Sequence, residues 1–292
     1  GRLPDRIAEA WPPAAEERFE ALVVGSGPAG LAAALALSLA GRRVLLAESD
    51  TVLGGRLRCR LGLADDPPLE LADQAALAVE RAGGEVARGA TVVGLWPSGG
   101  EALAALPQPA PAPRLRLVRA RRVVLAQGSW AQRPLFPSND LPGIYAGRGL
   151  LLALAEDGVV AGERAVVLGE GAEAEAVRVR LAAAGMEVER VAGGALRARG
   201  GRRLAALDLA DGRRLRCDTL AVVTPRMPAA ELAREAGAAL ELDPGTGTFR
   251  VQPAEDGAVA DGIYVAGEVA GPCSAAEAAR AGRRAGEAAA RG

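Results

Sequence analysis

The chain has 292 residues, enough for one large or two medium domains, and its 50% hydrophobic and 24% charged residues are typical of a folded globular protein. Its 36 acidic and 35 basic residues nearly balance, which gives no indication of a nucleic-acid or anionic-membrane surface. All basic residues are arginine and histidine is absent, which excludes His-based triads, His metal sites, Schiff-base lysines and the lysine of a phosphate-binding P-loop.

The three cysteines, Cys59, Cys217 and Cys273, are far apart and form no C-x-x-C pair. We therefore expect neither a redox-active cysteine pair nor a metal site, and a reducing cytoplasm is the expected location. The most apolar stretch is interrupted at Arg42-Arg43, before it reaches the roughly 18 residues that a membrane-spanning helix needs. No charged and then apolar leader is recognisable at the start.

The first half of the chain predicts alternating strands and helices. A polar lead with prolines at 4, 12 and 13 precedes residues 21–24, which predict a buried strand of a parallel sheet. A glycine-rich turn follows at once. The further predictions are a helix over 31–40 closed by Gly41, a strand over 43–47, a helix over 71–82, a strand near 85–95, a loop over the four prolines of 107–113, and strands at 115–118 and 123–125.

The same design returns in the second half. The predictions are a strand over 164–168, a turn over 169–174, a helix over 175–184, a strand over 186–191, a hairpin turn at Asp211-Gly212, a strand over 220–223, a strand over 263–266, and a helix from Ser274 with an S-x-x-E capping box. The sequence therefore predicts an α/β fold with two β-α-β units of like design.

The loop Gly25-Ser26-Gly27-Pro28-Ala29-Gly30 is a G-x-G-x-x-G motif between a predicted strand and a predicted helix. A tight turn, a close approach of the backbone to a pyrophosphate and tight helix packing each require a residue without a side chain. The helix N-terminus adds free N–H groups and a partial positive charge. About 20 residues later Glu48 ends the next strand, where a carboxylate can accept hydrogen bonds from an adenosine ribose. The pattern predicts a site for an adenine dinucleotide.

Several segments together resemble the FAD-dependent pyridine-nucleotide-disulfide oxidoreductase superfamily. They are Gly25 to Gly30, Glu48, Gly54-Gly55-Arg56, the stretch from Val123 to Ser129, and Tyr264-Val265-Ala266-Gly267-Glu268. The stretch from Arg133 to Gly143 is similar to the group that supplies one subunit of heteromeric amine and amino-acid oxidoreductases: sarcosine oxidase alpha, hydrogen cyanide synthase, opine oxidase and dye-linked proline dehydrogenase.

The resemblance implies FAD as the cofactor, with Glu268 near the ribityl chain and the pyrophosphate. Most relatives have Asp at the position of Glu268, and Thr is common at that of Gln127. At each of these two positions, two interpretations stay open: the side chain contacts the cofactor in a shifted position, or it does not contact the cofactor. The candidate cofactor-binding residues are Gly25, Ser26, Gly27, Pro28, Ala29, Gly30, Glu48, Ser49, Gly54, Gly55, Arg56, Ala126, Gln127, Gly128, Gly267 and Glu268.

A second glycine motif, Gly169-x-Gly171-x-x-Ala174, stands where the superfamily binds NAD or NADP. Two acidic residues, Glu170 and Glu173, lie beside its anion position and oppose a pyrophosphate by about 1 kcal/mol each. The next strand is followed by Ala192-Gly193-Gly194 rather than by an acid for the ribose. Arg190 is either the partner of a 2′-phosphate or a solvated surface side chain. Two alternatives therefore stay open for this motif: it binds NAD(P), or it binds no nucleotide.

We therefore expect two Rossmann-like folds, the second inserted in the first: an FAD-binding domain of residues 1–143 and 227–292, and an NAD(P)-binding-like domain of residues 144–226. The function implied is an FAD-dependent oxidoreductase that acts on a small molecule as one subunit of a heteromeric amine or amino-acid dehydrogenase or oxidase. The alternatives are a non-catalytic scaffold subunit that holds FAD, NAD or ATP, and a stand-alone NAD(P)H-dependent flavin reductase. The sequence assigns no catalytic residue.

Overall fold

The computed structural model describes residues 16–63, 66–108 and 114–292. The prolines of the predicted lead, and residues 109–113 of the predicted proline-rich loop, lie outside the described residues.

The elements alternate along the chain much as the sequence predicts. The strands are β1 Glu16–Val24, β2 Val44–Glu48, β3 Glu85–Arg88, β4 Gly94–Ser98, β5 Glu101–Gln108, β6 Arg114–Leu125, β7 Ser129–Ala131, β8 Ile144–Ala146, β9 Arg164–Gly169, β10 Glu187–Val191, β11 Ala195–Gly200, β12 Leu204–Leu209, β13 Arg214–Arg216, β14 Thr219–Val223, β15 Arg226–Pro228, β16 Leu240–Asp243, β17 Thr248–Val251, β18 Ala258–Ala260 and β19 Ile263–Val265. The helices are α1 Pro28–Leu39, α2 Leu71–Arg81, α3 Gly147–Asp157, α4 Gly171–Ala183, α5 Glu231–Glu235 and α6 Ala275–Arg291.

The larger sheet has the strand order β18-β19-β6-β1-β2-β3, and the β4–β5 hairpin joins it through β5 and β6. Strand β1 runs parallel to both β2 and β6, and β19 is parallel to β6 on the other side. Because successive side chains of a strand point to opposite faces, Val23 packs towards α1, α2 and α6, whereas Leu22 packs towards α5 and the β4–β5 hairpin. The first predicted β-α-β unit is confirmed.

A second parallel sheet, β10-β9-β14-β8, forms a smaller core. Helices α3 and α4 cover one of its faces, and the antiparallel sheet β11-β12-β13 covers the other. The chain leaves the larger sheet through β7 and returns to it through β15, and these two strands pair with each other. The predicted α/β class with two Rossmann-like folds, the second inserted in the first, is confirmed.

Helix α6 returns the C-terminal segment to the first fold by packing on α1. A Cβ on Gly282 would lie 2.0 Å from the carbonyl oxygen of Ala29, and one on Gly286 would lie 2.6 Å from that of Ala33. The two glycines therefore allow the helix backbones to approach closely. This packing holds α1, which carries the first glycine motif, against the sheet.

Three sequence predictions for the larger sheet were wrong in detail. Residues 107 and 108 belong to β5 rather than to a loop, because Pro107 lies beyond the end of β4, where its missing N–H interrupts no pairing with that strand. The strands predicted at 115–118 and 123–125 are one strand, β6. The strand predicted near 85–95 is divided into β3 and β4, and Gly89, with a φ of +67°, follows directly after β3.

The predicted capping box of α6 is confirmed. The Ser274 hydroxyl accepts a hydrogen bond from the Glu277 N–H at 3.1 Å, and the Glu277 carboxylate accepts one from the Ser274 N–H at 2.8 Å. Replacing Ser274 with alanine removes the first of these bonds. We expect the free energy of unfolding to fall by about 1 kcal/mol, measured by urea denaturation. An unchanged midpoint would show that the end of α6 is stabilised by its packing alone.

Candidate functional site

The first glycine motif forms the turn between β1 and α1. Gly25 has a φ of +95°, and a Cβ there would lie 2.6 Å from the carbonyl oxygen of Ala126. A Cβ on Gly30 would lie 1.8 Å from the carbonyl oxygen of Gly25. These two glycines are therefore required by the protein's own backbone, for the turn and for the packing of α1.

No contact with another described residue requires a glycine at position 27. It is the N-cap residue of α1, without a side-chain capping bond, and a Cβ there would have no atom within 4 Å. Pro28 occupies the first turn of the helix, and that turn contains no acidic residue. The free N–H groups and the partial positive charge of the helix therefore face open space, which is the arrangement that binds a pyrophosphate.

Glu48 lies at the end of β2, and only 9% of the residue is exposed. One carboxylate oxygen accepts hydrogen bonds from the Ser26 N–H at 2.8 Å and the Ser26 hydroxyl at 2.6 Å. The other accepts from the Asp50 N–H at 2.8 Å and the Ser49 hydroxyl at 3.1 Å. A ribose hydroxyl can reach this carboxylate only by replacing one of the two serine hydroxyls, both of which can rotate away.

The segment 54–56 supports the loop from the other side. The Gly54 N–H donates to the Ser26 carbonyl oxygen at 3.0 Å, and a Cβ on Gly55 would lie 2.9 Å from the Cα of Gly27. Arg56 extends towards the far end of the cleft, where its guanidinium donates to Glu268 at 2.8 Å. Contacts from this segment therefore reach both ends of the cleft.

The last predicted residues follow β6 and β19. The Ala126 N–H donates to the Val24 carbonyl oxygen at 2.8 Å, and the Ala266 N–H donates to that of Leu125 at 3.0 Å, so both segments continue the sheet to its carboxyl edge. The side-chain oxygen of Gln127 is buried there without a hydrogen-bond partner among the described residues. A buried acceptor without a donor is costly, and a ligand that donates to it would remove that cost.

Fourteen of the sixteen predicted residues line one cleft of about 610 Å³, and Gly30 and Gly54 lie behind its wall. The cleft opens at the carboxyl ends of β1, β2 and β6, where ligands bind in open α/β sheets. It also contains Ser129, the last residue of the stretch from Val123 to Ser129, and Arg148 and Arg226, which the sequence did not reveal.

Arg148, at the start of α3, joins the two folds through a buried charge network. Its guanidinium donates to Glu268 at 2.8 and 2.9 Å and to Glu173 at 2.7 and 2.8 Å. No motif marks Gly147-Arg148-Gly149 in the sequence. The residue lies 120 positions from Glu268, so only the fold brings the two together.

Burial raises the pKa of the Glu268 carboxyl, but the hydrogen bonds and charge of Arg148, the charge of Arg56 and a hydrogen bond from Ser129 have the larger combined effect. They hold this pKa at about 2, below its ordinary value of 4.5. Glu268 is therefore ionised at neutral pH, and its negative charge is fixed at the end of the cleft nearest the second fold.

The second glycine motif differs from its predicted form. Helix α4 begins at Gly171 rather than at residue 175, with Glu170 as its N-cap residue and Glu173 in its first turn. Arg148 offsets the charge of Glu173, whereas Glu170 is exposed and makes no ion pair with any described residue. Arg190 pairs with Glu175 at 3.3 Å. Ala192-Gly193-Gly194 follows β10, as predicted, and lines a cavity of about 770 Å³ between the two folds.

Residues 23–76 match the NAD(P)-binding Rossmann-like domain family. Over 178 residues the chain is 34% identical to sarcosine oxidase subunit alpha from Corynebacterium sp. (strain P-1), a match that covers 57% of this chain and 18% of that protein. The chain thus spans about a fifth of the length of this curated relative.

Solved structures share the architecture. L-proline dehydrogenase from P. horikoshii has a TM-score of 0.81 at 23% identity, covering 93% of this chain and 55% of that chain. Thioredoxin reductases from Lactococcus lactis and T. acidophilum have TM-scores of 0.75 and 0.70 at 15% identity, each covering 94% of this chain and 98% of theirs. At these identities the structures establish the fold alone.

Fold and cleft together define a protein with two dinucleotide-binding folds. The family match at residues 23–76 and the shared architecture agree with the superfamily that the sequence resembles, and they establish a Rossmann-like dinucleotide-binding domain and the fold. Over 57% of its length the chain is similar to sarcosine oxidase subunit alpha. Among the described residues, no helix is both long and apolar enough to cross a membrane.

Proposed function

We propose that the chain binds FAD in the 610 Å³ cleft and works as an FAD-dependent oxidoreductase. The observation that carries this proposal is the open space at Gly27, at the uncapped N-terminus of α1. It lies in the same cleft as Glu48 and Glu268, one carboxylate for each end of a dinucleotide.

The residues present fit FAD at each part of the cleft. Glu48 would bind the adenosine ribose, the free N–H groups at the start of α1 would bind the pyrophosphate, and Glu268 would bind the ribityl chain. The unpaired oxygen of Gln127 offers an acceptor to the same ligand. When bound, FAD supplies the two-electron redox chemistry for which the chain's own side chains offer no group.

At a finer level, we propose that the chain is one subunit of a heteromeric amine or amino-acid dehydrogenase or oxidase. The similarity to sarcosine oxidase subunit alpha supports a partner subunit and a small-molecule substrate. The crossing between the sheets at β7 and β15 supports domain boundaries near residues 143 and 227. The three free cysteines support a reducing compartment such as the cytoplasm.

The proposal is tested by incubating the purified chain with FAD, removing free FAD and recording the visible spectrum. A flavin absorption band that stays with the protein is expected. Its absence would refute the proposed function.

Anaerobic addition of NADH or NADPH then separates the alternatives. Bleaching by either nucleotide would support a flavin reductase, whereas a yellow protein that neither reduces is consistent with a subunit that depends on a partner or with a scaffold.

Replacing Glu48 with alanine should weaken FAD binding by about 10- to 100-fold, because hydrogen bonds to a charged acceptor are lost. Affinity is measured by the quenching of FAD fluorescence. Ser26→Ala is the control, since it removes one hydroxyl donor to Glu48 and keeps the carboxylate. If both variants lose affinity equally, Glu48 acts by holding the loop rather than by binding the ribose.

A further inference from the structure

Three arginines and two carboxylates meet where the two folds face each other. The side chains of Arg56, Arg148 and Glu268 are 9% to 10% exposed, and those of Arg226 and Glu173 are 22% and 23% exposed. The group therefore contains one more positive charge than negative charges. An unbalanced charge with so little access to water is unfavourable unless an anion is supplied.

Arg226 is the residue that lacks a close partner. Arg56 and Arg148 each lie 2.8 Å from a carboxylate oxygen of Glu268, whereas the Nε of Arg226 is 3.9 Å from one. The short hydrogen bonds of Arg226 go to neutral atoms, the hydroxyl of Ser129 at 2.8 Å and its carbonyl oxygen at 2.6 Å. Burial and the charge of Arg148 lower the pKa of Arg226, which agrees with a cation that is not fully compensated.

The 770 Å³ cavity beside Arg226 has mainly apolar walls. Phe136 and Leu168 are buried core residues whose surfaces face it, and Val223 and Pro225 continue the wall towards Arg226. Its charged lining residues are Arg148, Arg226, Glu170, Glu173 and Glu268. Arg148 already pairs with Glu173 and Glu268, and Glu170 is exposed to solvent. Arg226 is therefore the cation left to orient a small organic ligand that has one anionic group, with the apolar walls around the rest of that ligand.

A dinucleotide suits this cavity poorly. Glu170 and Glu173 lie at the N-terminus of α4, where a pyrophosphate would have to bind. No acid follows β10 to bind a ribose, and Arg190 is already paired with Glu175. These features favour a ligand smaller than NAD(P).

We propose that the cavity between the two folds binds a small organic carboxylate, with its anionic group paired to Arg226 and its apolar part against Phe136, Leu168 and Val223. Arg226 borders the proposed flavin cleft as well, but Phe136, Leu168 and Val223 line the 770 Å³ cavity and not that cleft, so occupancy of this site does not require FAD.

The test is isothermal titration calorimetry of the full chain with benzoate, which has one carboxylate and an apolar ring, and with the neutral benzamide. Benzoate should bind at least 10-fold more tightly than benzamide. Arg226→Gln should weaken benzoate binding on the order of 10- to 100-fold and leave benzamide unchanged. Arg190→Gln, which changes an arginine of the same fold outside the cavity wall, is the control and should leave benzoate binding unchanged.

In these titrations, any of three results would overturn the inference: equal affinities for benzoate and benzamide, no benzoate binding to the unmodified chain, or unchanged benzoate binding in Arg226→Gln. If that variant does not fold, the comparison of benzoate with benzamide on the unmodified chain decides whether the proposal holds.

The titration is repeated after FAD loading. Displacement of benzoate by FAD would place the anion in the first cleft and contradict the proposal. The flavin spectrum is recorded separately, so failure of FAD binding and failure of this site are distinguishable.

Discussion

Replacing Gly27 with valine should strongly weaken FAD binding and leave the fold intact. The added side chain would project into open space at the N-terminus of α1, so it meets no protein atom within 4 Å at its Cβ. The backbone there is extended, with φ −68° and ψ −179°, which valine adopts without strain. The same space is the one proposed for the pyrophosphate. We therefore expect FAD affinity to fall by at least about 100-fold, which corresponds to about 2.8 kcal/mol.

Gly201→Val is the matched control, because Gly201 also has open space around its Cβ and lies between β11 and β12, away from the cleft. Both variants should keep the thermal unfolding temperature within a few degrees, and only Gly27→Val should lose FAD, measured by fluorescence quenching. Gly30→Val should instead fail to fold, since its Cβ would collide with the backbone of Gly25. FAD binding by Gly27→Val at the original affinity would rule out the assigned position of the pyrophosphate.

Replacing Glu268 with glutamine should cost at least about 3 kcal/mol of unfolding free energy in the absence of FAD, because removing one partner leaves buried charges without compensation. Of the three arginines around Glu268, only Arg148 would then keep a carboxylate partner among the described residues, Glu173, while Arg56 and Arg226 would lose theirs. Urea denaturation at neutral pH measures the loss. Glu187→Gln is the control: the Glu187 side chain is 78% exposed in its pair with Arg164, and its loss should cost less than about 1 kcal/mol.

The same carboxylate makes stability depend on pH. Its pKa in the folded protein, about 2, is lower than its ordinary value of 4.5. A depressed pKa contributes stability above the unfolded value and loses it as the pH falls through the folded value. The contribution of Glu268, about 3 kcal/mol by this linkage, should therefore be complete near pH 6 and decline from about pH 5 towards pH 2. In Glu268→Gln this part of the acid sensitivity should be absent. Parallel pH profiles of the two proteins would contradict the assignment.

The first half of the site could be predicted because its determinants are local. Gly25 to Gly30 and Glu48 belong to one β-α-β unit, and the order of strand, turn, helix and acid appears directly in the sequence. The capping box of α6 is equally local. The strand predicted near 85–95 was inaccurate for the opposite reason, because its determinants are not local. The hairpin of β4 and β5 depends on pairing with β6.

The charge network could not be predicted. Arg148 and Arg226 belong to segments without a motif, and they reach Glu268 only because the inserted fold lies against the first. In the sequence each is one of 35 basic residues, all arginine, most of which would be expected on the surface. At the second glycine motif the sequence indicates two acids that oppose a pyrophosphate. In the structure Arg148 offsets the charge of Glu173, whereas the charge of Glu170 is not offset by any described residue.

The packing of α6 on α1 has a consequence for folding during synthesis. Strand β6 ends at Leu125, and its neighbour β19 begins only at Ile263, so the larger sheet is completed from two distant parts of the chain. The inserted sheet, from β8 to β14, is continuous in sequence and emerges from the ribosome as a unit after β6 and before β19. Domains generally fold as such units. The inserted fold should therefore form first, while the surface of α1 around Ala29 and Ala33 stays uncovered until the last helix has been made.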